Sequence, residues 1–168
     1  MLRIKARPWA AMVEHARATY PNECVGVMLG KQEDGIKTVT MALPMENVNP
    51  GPKFERYTLD AKDLLAADAA ARRHGLTLIG IYHSHPDCGA YFSQTDLKNS
   101  CPWYSFVVLS MRKGRLHDAR SWLPDAEQTR AEEEQLRVGW QFPTVQQWLR
   151  SNQNGQSFNT HASTAVRR

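Results

Sequence analysis

The apolar and polar positions divide the chain into blocks of helical and strand-like period. Between Pro8 and Tyr20, the residues Trp9, Met12, Val13 and Ala16 recur at helical spacing, and Pro21 closes the run. Cys24 to Gly30 is a continuous apolar run of strand length, and Ile36 to Leu43 is its return across the hairpin signal Asp34-Gly35. Pro44 to Phe54 is a loop rich in Pro, Asn and Gly, and Arg56 to Leu59 reads as a short strand. Asp60 is placed to cap an alanine-rich helix from Ala61 to His74, ended by Gly75. Leu76 to His85 is apolar nearly throughout, as expected of a strand covered on both faces. A loop from Pro86 to Phe92 leads to a short helix from Ser93 to about Ser100. Tyr104 to Ser110 and Leu116 to Trp122 form a hairpin about the turn Arg112 to Arg115. Asp125 to Val138 reads as a helix with Glu132, Glu133 and Glu134 on its solvated face, and Pro143 to Leu149 adds a turn of helix. The order α-β-β-β-α-β-α-β-β predicts a mixed α/β (α+β) fold, a mixed central sheet with helices packed on it. Residues 1–145 are expected to form one domain and 146–168 a polar, partly disordered C-terminal tail.

Composition narrows the setting. At 168 residues, with 42% hydrophobic and 23% charged residues, the chain has the make-up of one globular domain. No apolar run approaches bilayer length, and the basic N-terminal stretch lacks the apolar core of a signal peptide, so the expectation is a cytoplasmic protein without a membrane segment. Three cysteines without C-x-x-C spacing argue against a disulfide framework. Cys24 and Cys101 read as small buried apolar residues. Cys88, just after the histidines, is open to metal contact or oxidation. The net charge of +4 is mild and no basic stripe with interleaved aromatics is present, so nucleic-acid binding is not expected.

The candidate chemistry lies at the end of the central strand, in His83-Ser84-His85-Pro86. Strand side chains alternate, so His83 and His85 project to one face and Ser84 to the other. Two imidazoles on one face make half of a metal site. Zinc is the first candidate, and Asp96 beyond the loop is the candidate third ligand. Ser93-x-x-Asp96 also reads as a helix cap with no chemistry, and the two readings are compatible. His15 and His74 on helices, His117 in the hairpin and His161 in the tail read as solvated.

With Glu23 upstream, the full pattern is Glu23, His83-Ser84-His85-Pro86 and Ser93-Gln94-Thr95-Asp96. It resembles the JAMM (MPN-plus) metalloprotease family, including the gap from the second His to the Asp. Pro21 to Gly30 and Pro102 to Ser105 resemble segments of its small bacterial branch. Phe92 stands where many members have Pro, and Cys88 has no fixed counterpart. The resemblance, over roughly residues 1 to 125, implies a cytidine-deaminase-like MPN fold. It implies one zinc per chain on His83, His85 and Asp96, lowering the pKa of a bound water toward roughly 7. It implies Glu23 as general base and Ser93 as donor to the developing oxyanion. The implied substrate is a ubiquitin-like sulfur-carrier protein, cut at a peptide or isopeptide bond at its C-terminus.

Three alternatives come from other classes. A catalytically silent MPN-type interaction module would lose ligands, whereas all five motif residues are present. A zinc hydrolase or deaminase acting on a small molecule is the second, but the deaminase signature needs His-x-Glu and a later Cys-x-x-Cys. A two-His, one-carboxylate iron site is the third. The Glu23 and Ser93 context favours hydrolysis.

Overall fold

The computed structural model describes residues 1–139 and 144–153. One eight-stranded mixed sheet runs in the order β7-β6-β5-β4-β2-β3-β1-β8. Its strands are β1 (Leu2–Ile4), β2 (Val25–Glu33), β3 (Ile36–Met45), β4 (Thr77–Pro86), β5 (Ser105–Arg112), β6 (Arg115–Pro124), β7 (Ala131–Glu134) and β8 (Leu136–Val138). The helices are α1 (Ala6–Thr19), α2 (Ala61–Arg73), α3 (Gln94–Lys98) and α4 (Val145–Gln153). The expected mixed sheet with packed helices is borne out.

The helices form where the pattern placed them. α1 buries Pro8, Trp9, Met12, Val13 and Ala16, one stripe at helical period. Asp60 caps α2 by accepting from the Lys62 N–H at 2.7 Å, and Gly75 beyond its end takes φ +64°. α1 packs on one face of the sheet, where Trp9 and Met12 meet Met28, Tyr82, Val107 and Leu109. α2 covers the other face with Ala67 and Ala71 against Val27, Leu29 and Leu78. Trp9, Tyr82 and Phe106 are almost fully buried, each worth about 2–3 kcal/mol of apolar transfer.

β4 lies between β2, antiparallel, and β5, parallel, so it has no open edge. A bulge interrupts its pairing with β2: Met28 faces Gly80 but Leu29 faces Leu78, leaving Ile79 unpaired. The extra residue joins the α1 core, while Leu78 and Ile81 both belong to clusters on the opposite face. His83 and His85 continue the parity of Ile81 and share that second face.

The region after Pro124 departs from expectation. Asp125 to Val138 was expected as a helix; it forms a turn and the strands β7 and β8. The Asp125 carboxylate accepts from Thr129 and Arg130 N–H groups, which sets the turn. β7 then pairs with β6 and β8 with β1, although Gln135 alone separates them. The sheet therefore curls until its two outermost strands are continuous in sequence. Unpaired ladder groups on β6 and β1 outweigh the helix propensity of the glutamates. Glu134, expected to be solvated, is buried; it accepts from Ser121 Oγ at 2.8 Å and lies 3.4 Å from the Met1 ammonium. β1 itself was not foreseen. Arg56 to Leu59, read as a strand, has no regular secondary structure and lies outside the sheet. His15 is not simply solvated: it is half-buried and its Nδ1 lies 3.0 Å from the Tyr82 hydroxyl. α4 begins at 145, buries Val145 and sets Trp148 edge-on to Trp9 at 5.5 Å, so residues expected in the tail pack on the core. Beyond residue 153, the expected tail lies outside the described residues.

A Cβ at Gly80 would overlap the carbonyl oxygen of Ser105 on β5. Gly80→Ala is therefore expected to destabilise the protein by about 2–3 kcal/mol, toward the upper end of overpacking costs. Urea denaturation measures this, and an unshifted midpoint would contradict the close β4–β5 approach.

Candidate metal centre

His83 and His85 sit at the end of β4 and are 0% and 6% exposed. Their Nε2 atoms converge to 3.2 Å. Asp96 approaches from α3, with Oδ1 3.4 Å from His83 Nε2 and Oδ2 3.7 Å from His85 Nε2. One ligand atom from each residue falls within a 4.8 Å span. Four ligands placed tetrahedrally at about 2.0–2.1 Å from a zinc ion stand roughly 3.3–3.4 Å apart. The 3.2 Å between the imidazole nitrogens and the 3.4 Å from His83 to Oδ1 match that donor spacing, and the 3.7 Å from His85 runs to the other carboxylate oxygen, Oδ2. The chemistry of the set, two neutral-capable imidazoles and one carboxylate, fits zinc as well.

The cap and the ligand coexist. Ser93 Oγ accepts from the Asp96 N–H at 3.1 Å, and Asp96 Oδ2 accepts from Ser93 N–H at 2.9 Å and Ser93 Oγ at 2.6 Å, a complete capping box. Oδ2 is thus held by Ser93 while Oδ1 is turned to His83. The Ser93 hydroxyl hydrogen is directed at Asp96, and the side chain also lines the cavity described below.

His85 is oriented by backbone. Its Nδ1 lies 3.0 Å from the Gly89 carbonyl oxygen. A carbonyl only accepts, so Nδ1 carries the hydrogen and Nε2 the lone pair a metal needs. The loop supplying that carbonyl is pinned at three successive residues: Ser110 Oγ donates to Cys88 O, Gly89 O accepts from His85, and Trp122 Nε1 donates to Ala90 O at 3.0 Å. Asp87, at φ +53°, starts the loop by accepting from Tyr20 Oη at 2.6 Å and from the Lys113 N–H at 3.0 Å. His83 is held by packing, with the Tyr57 ring centroid 4.7 Å away.

Glu23 lies between α1 and β2 and is 5% exposed. Ser84, on the opposite face from the histidines as expected, fixes the adjoining backbone: its Oγ accepts from Cys24 N–H at 2.9 Å and its own N–H donates to Cys24 O at 3.1 Å. Glu23 joins His85, Ser93 and Asp96 in lining a cavity of about 570 Å³. Exposed Phe54 and Tyr91 stand at this cavity, and Cys88 and Cys101 line it too, so Cys101 is only partly the buried apolar residue expected.

Electrostatics separate the two carboxylates. Burial pushes Glu23 up to about 8, with His85 pulling it down and Asp96 pushing it further up. For Asp96, burial acts upward but is outweighed by the charge of His83 and by hydrogen bonds from His83, His85 and Ser93, which hold it well below the usual range. Burial draws His83 below the ordinary imidazole value against the pull of Asp96. Burial acts downward on His85 also, but its bond to Asp96, the charges of Glu23 and Asp96 and the Gly89 carbonyl raise it. Positive charge at the cluster would favour the ionised form of Glu23.

Four of the five residues singled out from the sequence, Glu23, His85, Ser93 and Asp96, line the cavity, and fully buried His83 joins them through its contacts with His85 and Asp96. Sequence reasoning missed the supporting residues Tyr57, Ser110, Trp122 and Asn47, whose Nδ2 donates to the Glu23 carbonyl at 3.1 Å. Their pattern carries no signal, because they act through backbone carbonyls and ring contacts set only by the fold.

Residues 5–125 match the family described as prokaryotic homologs of the JAB domain, and the chain belongs to that family. It is 35% identical over 123 residues to the CysO-cysteine peptidase of Mycobacterium tuberculosis, covering 73% of this chain and 82% of that protein. It is 34% identical over 113 residues to the desampylase of Haloferax volcanii, covering 67% and 78%. Among solved structures, protein DSY2949 from Desulfitobacterium hafniense superposes with a TM-score of 0.72 at 25% identity, covering 82% of this chain and 92% of that one. The expected kinship with the small bacterial JAMM-type branch is borne out. No helix among the described residues is long and apolar enough to cross a membrane.

Trp122→Phe keeps the ring but removes the donor to Ala90 O. Loosening the loop that aims His85 is expected to weaken zinc affinity about tenfold, at the low end of outer-ligand effects. Competition with a chromophoric chelator reads this directly, and unchanged affinity would show that the loop holds without Trp122.

Proposed function

We propose that the protein is a zinc-dependent peptidase that cuts the peptide or isopeptide bond at the C-terminus of a ubiquitin-like sulfur-carrier protein. It carries one zinc per chain on His83, His85 and Asp96 and works in the cytoplasm. The observation that carries the reading is the convergence of a buried carboxyl, Glu23, with a His-His-Asp cluster on one cavity. The names of the relatives support the substrate class: one is called a CysO-cysteine peptidase and another a desampylase.

When bound, zinc would supply a Lewis acid that polarises the scissile carbonyl and makes water nucleophilic near neutral pH. Glu23 takes a proton from the attacking water as its oxygen bonds to the carbonyl carbon. The carboxyl then returns that proton to the leaving amine as the C–N bond breaks. Burial raises the carboxyl, and the charge of a bound metal would lower it again, favouring the carboxylate that accepts the water's proton. Ser93 orients Asp96 and would donate to the oxyanion once its hydroxyl exchanges its bond to Oδ2. The substrate tail lies along Arg56 to Leu59. There Arg56 O and Thr58 N–H bond toward Asn47, and Thr58 O accepts from Val48 N–H at 3.0 Å. Arg56, Tyr57, Thr58 and Leu59 all line the cavity, so this segment borders the space the tail would enter.

Elemental analysis and cleavage of a carrier protein with a C-terminal extension, followed by mass spectrometry, test the reading. Wild type is expected to hold about one zinc per chain, by analogy with three-ligand catalytic sites. His85→Ala should lose the metal, and Glu23→Gln should keep it but lose roughly 10²-fold or more in turnover. Equal zinc in wild type and His85→Ala, or full activity in Glu23→Gln, would overturn the assignment.

Ser93→Ala separates capping from chemistry. Loss of the cap alone should cost about 1 kcal/mol with little change in turnover. Loss of an oxyanion donor as well should lower turnover roughly 10²-fold. The expected result is both, and Ser93→Asn should recover the stability but only part of the rate. Wild-type turnover in Ser93→Ala would leave Ser93 as a cap.

A further inference from the structure

Glu23 is held by its backbone, and one loop takes hold of both of its backbone polar groups. The Glu23 N–H donates to Lys53 O at 2.7 Å, and the Glu23 carbonyl accepts from Asn47 Nδ2 at 3.1 Å. The direction of its carboxyl therefore depends on the backbone beneath it.

Asn47 is 7% exposed and uses the full capacity of its amide. The two Nδ2 hydrogens go to Glu23 O at 3.1 Å and Arg56 O at 3.0 Å. Oδ1 accepts from Asn49 N–H and Thr58 N–H, both at 3.1 Å. All four partners are main-chain groups. The side chain thereby joins Glu23 to the segment that walls the cavity. An aspartate there would lose the donors, and a glutamine would place the same amide one methylene too far along.

We propose that Asn47 is a positioning residue for the reaction, acting through Glu23: it fixes the carboxyl relative to the segment along which the substrate lies. This rests on the peptidase reading above. A misplacement of the order of 1 Å in a reacting group costs roughly 10²-fold in rate, and Asn47 is the link that prevents it. It touches neither the metal ligands nor, through its own atoms, the cavity.

The test is a double-mutant cycle on the full chain loaded with zinc, using the extended carrier protein under single-turnover conditions. Asn47→Ala is expected to lower kcat roughly 10²-fold while zinc content stays at the wild-type value. In the Glu23→Gln background the same substitution is expected to cost less than about threefold, because the group it positions is already disabled. A purely structural role would lower the rate by the same factor in both backgrounds, or would lose zinc, and either result overturns the proposal. Should Asn47→Ala not fold, Asn47→Asp is the second variant. It is isosteric, keeps the bonds from Asn49 and Thr58, and must show the same non-additivity. If Glu23→Gln itself cleaves like wild type, the peptidase mechanism fails. If Glu23→Gln is inactive as expected and Asn47→Ala cleaves like wild type, only the role of Asn47 fails.

Discussion

Two buried carboxyl groups face one cavity, and burial strips each of much of its hydration. Burying an unanswered carboxylate costs several kcal/mol. At Asp96 the charge is answered by two imidazoles and by the Ser93 hydroxyl and N–H. At Glu23 it is not, and the group drifts toward its neutral form. Most of the surrounding structure maintains this asymmetry. The short helix α3 exists to present Asp96 with its cap, the pinned loop aims His85, and Ser84 anchors the chain that carries Glu23. A cation is the natural complement of such a pocket, because it answers the charge of the second carboxylate as well.

The sheet explains how this can be held still. β4 is paired on both sides, and its neighbours are paired in turn out to β7, which pairs with β6, and β8, which pairs with β1. Few ladder groups are left to open locally near the histidines. The joining segment falls beyond residue 125, where the family match ends. The fold's enclosure is thus completed by a stretch outside the part that defines its kinship.

What could be read from the sequence was whatever repeats within a short window or depends on residue type alone. The stripe of Trp9, Met12, Val13 and Ala16 announces α1, Asp60 and Gly75 mark the ends of α2, and His-x-His with Ser-x-x-Asp names the cluster. Glu132 to Glu134 misled because three glutamates favour a helix locally. The decisive influence came from distant edges of the sheet that no local window contains. β1 is three residues long and too short to show a period. Asn47 was seen only as loop composition. Its importance lies in four bonds to main-chain atoms spread from residue 23 to residue 58.

The bulge at Ile79 has a consequence for how the chain tolerates change. Strand side chains have only two directions, so an odd number of added or removed residues in β4 works like a sign reversal on everything downstream. Ile79 supplies one such reversal, and the two histidines lie downstream of it. Single-residue insertions or deletions between Leu78 and His85 would aim the imidazoles into the α1 core even if the strand survived. A change of one residue in the connections outside β4 leaves the facing of the histidines intact, whereas the same change within the strand reverses it.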